Sequence, residues 1–265
     1  MKKLLLTATT LLLILVLTAG CRPSRPELPA ASEPAESTES IESTTESAEN
    51  PTTETEDDTE YEGDASSYYI DVVYAQQIER YYTAISQQWD MDAYWDQEMS
   101  SMVVHYYDGT PLDNVGFTLM NLDGDGIPEL IIGAIFGSDR DPLVFEIWTV
   151  HNGDPVMLAQ SGSHNRYYLQ YSEEEDLWSV AYEAENGAAN HAVYYLQLVE
   201  GEFRVIQGIV FDAFASENDP WFMAYDLDWD VSNDIPVDEE TATSIMQAGR
   251  NIYSALEYLP YSLYR

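Results

Sequence analysis

Asn121–Gly133 reads N-L-D-G-D-G-I-P-E-L-I-I-G. Its second half, Glu129-Leu-Ile-Ile, is too β-branched and too soon stopped by Gly133 for a helix, so it predicts a strand. Val115–Met120 ahead of it predicts another, which makes the acidic middle a short connection between sheet strands. Oxygen-bearing side chains fall at Asn121, Asp123, Asp125 and Glu129, with Gly126 straight after Asp125. These are the first, third, fifth and ninth positions of a loop. Odd offsets let a tightly curled backbone point successive oxygens at one centre, and the sixth position needs a glycine for the sharp turn. The carbonyl of Ile127, at the seventh, adds a further oxygen. Calcium takes six to eight hard oxygens in irregular geometry, so three carboxylates, an amide, a carbonyl and water satisfy it. Asp-Gly is also ordinary turn chemistry, but a bare turn needs one such pair and not four spaced oxygens.

The pattern departs from an EF-hand in two ways. The first position is Asn rather than Asp, and the twelfth, where a bidentate Glu would stand, is Ile132. A nine-residue acidic loop between strands is the better description. Over about Phe117–Gly133 the chain resembles the D-x-D-G-D-G-x-x-E/D loops of FG-GAP-type propeller repeats. It resembles more closely those of uncharacterised Gram-positive surface lipoproteins, and that resemblance implies a calcium-binding module outside the cell.

The whole chain has 265 residues, of which 45% are hydrophobic, enough for one good core plus appendages. Its 48 acids against 10 bases give a formal charge of −38, and no lysine follows Lys3. Such a balance disfavours nucleic acid and electrostatic docking to an anionic membrane. It favours divalent cations or a basic partner. The lone cysteine, Cys21, leaves no internal disulfide.

Residues 1–20 carry Lys2 and Lys3, then the apolar stretch Leu4–Leu17, and end in Leu17-Thr-Ala-Gly before Cys21. This predicts a secretory signal, too short and too promptly ended for a membrane span. The small residues before Cys21 resemble a bacterial lipobox, although Thr18 stands where Leu is more usual. That resemblance implies a diacylglyceryl group on Cys21, which becomes the new N-terminus on the outer face of the cell membrane. Two acyl chains suffice for stable anchoring where one is marginal. Residues 21–67 are rich in Ser, Thr, Glu, Pro and Ala with hardly any large apolar side chains. They predict a disordered, self-repelling linker.

The folded domain is expected over residues 68–265. Val72, Val73, Ile78, Tyr81, Tyr82 and Ile85 recur near 3.6, so Tyr69–Trp89 predicts an amphipathic helix. A second helical piece is expected over Asp92–His105, broken by Asp108-Gly-Thr-Pro. Strands then follow at Val115–Met120, Glu129–Phe136, Leu143–Val150, Pro155–Gln160, Tyr167–Tyr171, Leu177–Glu183, Ala192–Val199 and Phe203–Phe211. Asn152-Gly153 is a strong hairpin signal between the third and fourth. Thr241–Leu259 predicts a closing helix, capped by Asp238, with Ile245, Ile252, Leu256 and Leu259 as its buried stripe. The reading is α+β: an antiparallel meander of roughly eight strands between N-terminal helices and a C-terminal helix.

A second acidic run, Tyr225–Asp234, repeats the oxygen spacing at Asp226, Asp228, Asp230 and Asp234. Val231 stands where the loop glycine belongs, and alternation with Leu227 and Trp229 equally fits an edge strand with its acids in solvent. It is a secondary metal candidate. No catalytic motif is recognised. His105, His151, His164 and His191 are scattered, H-E-x-x-H and G-x-S-x-G are absent, and Gly162-Ser-His164 reads as a polar turn. Trp89, Trp95, Trp221 and Trp229 are candidates to stack on sugar or peptide, with core packing as the alternative. The expectation is therefore a membrane-anchored extracellular lipoprotein with a structural calcium loop. It would serve as a binding module for a glycan, peptide or envelope protein. The alternatives are a secreted hydrolase with a carboxylate-based site and a purely structural envelope protein.

Overall fold

In the computed structural model the chain divides into two units, Met1–Asp58 and Thr59–Arg265. The residues described are 65–135, 142–174, 176–216 and 220–265, all within the second. The signal segment, Cys21 and the linker up to residue 64 lie outside the described residues. Among the described residues no helix is long and apolar enough to cross a membrane.

Short helices lead into the sheet: α1 (Ala65–Tyr68), α2 (Ala75–Ser86), α3 (Met91–Asp96) and α4 (Pro111–Asn114). A π-helical turn, Tyr69–Val73, joins α1 to α2, and a 3-10 turn, Ser101–Tyr106, follows α3. The helix expected over Tyr69–Trp89 is thus split. The N–H of Tyr74 reaches back to the carbonyl of Tyr69 at 2.8 Å and closes the π-turn, and regular α-helix starts only after it. Of the expected stripe Ile78, Tyr81 and Ile85 are buried, Val73 and Tyr82 are partly so and Val72 is exposed, while Tyr74, outside that stripe, is buried. The piece expected over Asp92–His105 is also shorter. Asp90 caps α3 by accepting the N–H of Ala93 at 2.9 Å, and Glu98 ends it with a left-handed φ of 53°.

The strands are β1 (Val115–Met120), β2 (Glu129–Ala134), β3 (Leu143–His151), β4 (Asp154–Gln160), β5 (Asn165–Ser172) and β6 (Leu177–Glu185). They continue with β7 (Asn190–Val199), β8 (Glu202–Asp212), β9 (Trp221–Ala224), β10 (Ile235–Val237) and β11 (Leu259–Pro260). They form one sheet in the order β10-β9-β8-β7-β6-β5-β3-β2-β1-β11, with β4 on β3. The described residues are mostly antiparallel β-sheet with some helices, and the 11 strands of that sheet correct the expected eight. Consecutive pairing holds from β5 to β10, but β3 pairs with β2, β4 and β5, so the sheet is not a simple meander. The turn between β3 and β4 has positive φ at both Asn152 (54°) and Gly153 (89°), the geometry that Asn-Gly favours. Phe136, expected at the end of β2, lies outside the described residues.

The helix between β10 and β11, α5 (Glu239–Arg250), is capped by Asp238, which accepts the N–H of Thr241 at 2.6 Å. It stops at Arg250 instead of reaching Leu259. Tyr253 stacks on Tyr168 of β5 with centroids 4.5 Å apart, and the N–H of Ser254 bonds the carbonyl of Leu169 at 2.8 Å. The chain therefore leaves the helix to run along the sheet. Of the expected stripe only Ile245 is buried in α5; Ile252 is 47% exposed and Leu259 belongs to β11.

Apolar side chains pack on both faces of the sheet. Tyr74, Ile78 and Tyr81 cover Leu130, Ile132 and Phe145 on one face, while Ile131, Val144, Ile147 and Leu169 form a second cluster. Every residue of β2 is buried, which is why Leu130-Ile-Ile reads as an unbroken apolar run rather than an alternating one. Gly133 has no room for a side chain, because Tyr258 packs directly against its Cα.

Candidate metal centre

The loop 121–128 spans the hairpin of β1 and β2, whose register runs from Met120 opposite Glu129 to Val115 opposite Ala134. Its curl comes from its own side chains. Asn121 Oδ1 accepts the N–H of Gly124 at 2.9 Å, Asp123 Oδ1 that of Asp125 at 3.1 Å, and Asp125 Oδ1 that of Ile127 at 2.6 Å. The backbone here is left-handed at Gly124 (φ +78°) and Gly126 (φ +92°), where any other residue is strained. Leu122 is buried against the second apolar cluster and pins the curl to the sheet.

Glu129 closes the loop. It is only 1% exposed, its Oε2 accepts the N–H of Leu122 at 2.8 Å, and its Oε1 accepts the hydroxyl of Thr149 on β3 at 3.0 Å. Burial pushes its carboxyl up from 4.5 to about 7; the two hydrogen bonds pull it back, and the charges of Asp123 and Asp125 raise it further. Tyr74, fully buried at the start of α2, donates its hydroxyl to the carbonyl of Pro128 at 2.9 Å. Among the described residues no ion pair reaches this loop; the cationic partners serve Glu200, Glu183 and Glu79 elsewhere.

The residues read from the sequence are therefore neighbours along one curl, with Asn121 and Asp125 exposed, Asp123 partly so and Glu129 inside. Their oxygens are turned to backbone N–H groups of the loop. Among the described residues no three His, Cys, Asp or Glu side chains are gathered closely enough to hold a metal ion as they stand. The donor set still suits a hard cation. Each carboxylate oxygen keeps a lone pair beyond its one hydrogen bond, and among the described residues Asp123 and Asp125 have no ion-pair partner.

The second acidic run is not an edge strand. It is the connection between β9 and β10, with a 3-10 turn at Val231–Asn233. Asp226 accepts the N–H of Asp228 at 3.3 Å, Asp228 that of Asp230 at 2.9 Å, and Asp230 that of Ser232 at 3.1 Å. The same two-residue step thus curls both runs, here without a glycine. Tyr194 donates its hydroxyl to the carbonyl of Asp228 at 3.2 Å. Asp234 Oδ2 is buried and has no hydrogen-bond partner among the described residues. Burial, then the charges of Asp226, Asp228 and Asp230, raise the Asp234 carboxyl above its ordinary value.

Three groups that shape the first loop escape sequence reasoning: Thr149, Leu122 and Tyr74. A further buried acid, Glu146, is marked only as the one charge inside the apolar run Leu143–Val150. Its carboxylate accepts Ser100 N–H at 3.0 Å, Trp148 Nε1–H at 2.9 Å and Gln160 Nε2–H at 3.1 Å, joining the helical segment to β3 and β4. Glu129 and Glu146 are each 1% exposed, so neither meets a substrate in this conformation. Ser163 and His164 are exposed in a turn, as the polar-turn reading has it. Of the tryptophans singled out, Trp95 is 56% exposed, whereas Trp89 and Trp229 pack against the two clusters and Trp221 against Phe211 and His191. No protein-family model, curated protein or solved structure matches the chain.

Proposed function

We propose that the chain is a bacterial surface lipoprotein, anchored through lipidated Cys21, whose sheet domain is a binding module stiffened by calcium at Asn121–Glu129. The observation that carries this reading is Glu129. A buried carboxylate ties the loop to β3 at the base of a curl bearing Asp123 and Asp125, with no basic side chain among the described residues paired to them. A divalent cation held by Asn121, Asp123, Asp125, the Ile127 carbonyl and Glu129 would supply that charge and lock the hairpin. Extracellular modules bind calcium at roughly 10⁻⁴ to 10⁻³ M. With −38 formal charges, the partner of the module is a basic or neutral surface, a glycan, peptide or envelope protein, and not nucleic acid.

Calorimetric titration of the chain from Arg22 onward tests the metal. Wild type binds calcium at one loop or more, and Asp123→Ala/Asp125→Ala loses the affinity of the first; equal heats from both proteins reject the site. Incorporation of a labelled fatty acid in cells, lost in Cys21→Ala, tests the anchor.

One observation favours a second calcium at Asp226, Asp228, Asp230 and Asp234: the buried Asp234 Oδ2 has no partner, and three more acids act on it. Asp234→Asn lowers the calcium stoichiometry by one on this reading and leaves it unchanged otherwise.

A further inference from the structure

We propose that Tyr74 couples the acidic loop to the π-helical turn Tyr69–Val73, so that the state of the loop sets the order of that turn. This rests on the loop being a ligand-responsive element, but the tie itself is made by the protein alone. Three features of Tyr74 meet at one residue. Its N–H closes the π-turn on the carbonyl of Tyr69 at 2.8 Å, and its carbonyl receives the first α2 bond, from Ile78 N–H at 3.0 Å. Its ring is fully buried, and its hydroxyl donates to the carbonyl of Pro128 at 2.9 Å, with the carbonyl of Trp148 3.4 Å away. Pro128 lies between Ile127 and Glu129, two of the residues assigned to the metal.

A π-turn closes its hydrogen bond over five residues where an α-helix uses four; it is rare and frequently stands at functional sites. Here the ring of Tyr69 leans on that of Tyr74 with centroids 6.2 Å apart. If the Pro128 peptide shifts as the loop tightens or loosens, the buried hydroxyl must follow or leave a carbonyl unpaired. The junction between π-turn and helix moves with it. Coupling between two such sites is reciprocal: whatever calcium does to the turn, the turn does to calcium affinity by the same factor.

The experiment is hydrogen exchange at the amides of Tyr69–Ile78, in wild type, Tyr74→Phe, Asp123→Ala/Asp125→Ala and the combined variant, each in EDTA and in saturating calcium. In wild type, calcium raises protection of the turn about ten-fold, and Tyr74→Phe weakens calcium affinity by the same factor while erasing the rise. Protection of the turn that is indifferent to calcium in a wild type shown by titration to bind it overturns the coupling. If titration is silent, the calcium reading fails separately and the EDTA samples decide. There the loop substitutions lower protection of the turn when Tyr74 is present and have no such effect when they are combined with Tyr74→Phe; equal effects in both overturn the tie.

Discussion

The two acidic runs of this chain carry oxygens at the same offsets and curl by the same step, each aspartate holding the N–H two residues on. They differ in what lies beneath them. The run at Asn121–Glu129 ends in a carboxylate whose two oxygens are both bonded, one to the loop and one to β3. The run at Asp226–Asp234 ends in a carboxylate with a buried oxygen bonded to nothing. Regular spacing is therefore enough to make a curl, but what fixes a curl to a sheet is the residue at its last position and the partner that residue finds. The first loop is tied to the sheet by the protein's own hydrogen bonds. The second is a surface connection between β9 and β10 whose last acid finds no such partner.

The largest effect that distinguishes them is truncation of the closing acid. Glu129→Ala leaves the buried Leu122 N–H and Thr149 hydroxyl without acceptors and costs about 3 kcal/mol in urea unfolding with EDTA present. Asp234→Ala under the same conditions costs almost nothing, since it removes an unpartnered oxygen from among like charges. Equal losses would collapse the distinction.

The same carboxyl gives a pH signature. Its folded value near 7 lies above the ordinary 4.5, so on raising the pH the unfolded chain ionises first. In EDTA, stability contributed by Glu129 is full below about 4.5, declines as pH rises to about 7, and is level above it. Glu129→Gln flattens that slope in urea titrations run at several pH values. A slope unchanged by the substitution assigns it to other acids.

Backbone demand separates the runs next. Gly126→Ala forces a side chain into left-handed backbone and costs about 1 to 2 kcal/mol. Val231, at the matching place, sits in a 3-10 turn with no positive φ and is partly buried against the second apolar cluster, so Val231→Ala releases no backbone strain and loses only packing, about 0.5 to 1 kcal/mol. A cost at Val231 matching that at Gly126 would mean the two curls are under the same constraint.

Much of this is legible in the chain. Loop oxygens, the glycine that lets them curl and the strands on either side are all local, as is the Asn152-Gly153 hairpin. What is not legible depends on distance or on brevity. Thr149 and Tyr74 stand 20 and 54 residues from the groups they bond, and nothing in their own neighbourhoods marks them. Strands β9, β10 and β11 have 4, 3 and 2 residues, too few to display a period of two. The closing helix reads too long because Tyr253 and Tyr258 sit within a helical pattern yet pack on β5 and against Gly133 of β2, contacts no straight helix makes together. The second run reads like a strand because alternation of acids with Leu227 and Trp229 has the same period as a ladder of two-residue turns.

Thermal unfolding tests the central claim most directly, with wild type and Asp123→Ala/Asp125→Ala each melted in EDTA, in millimolar calcium and in millimolar magnesium. At one to ten times the dissociation constant, which millimolar calcium reaches for a site of roughly 10⁻⁴ to 10⁻³ M, calcium adds about 0.4 to 1.4 kcal/mol, which for a domain of this size raises Tm by roughly 1 to 6 °C. The account predicts that rise in wild type with calcium only, and its loss in the double variant. A wild type whose melting is the same in all three solutions, or a double variant that keeps the full rise, would contradict it.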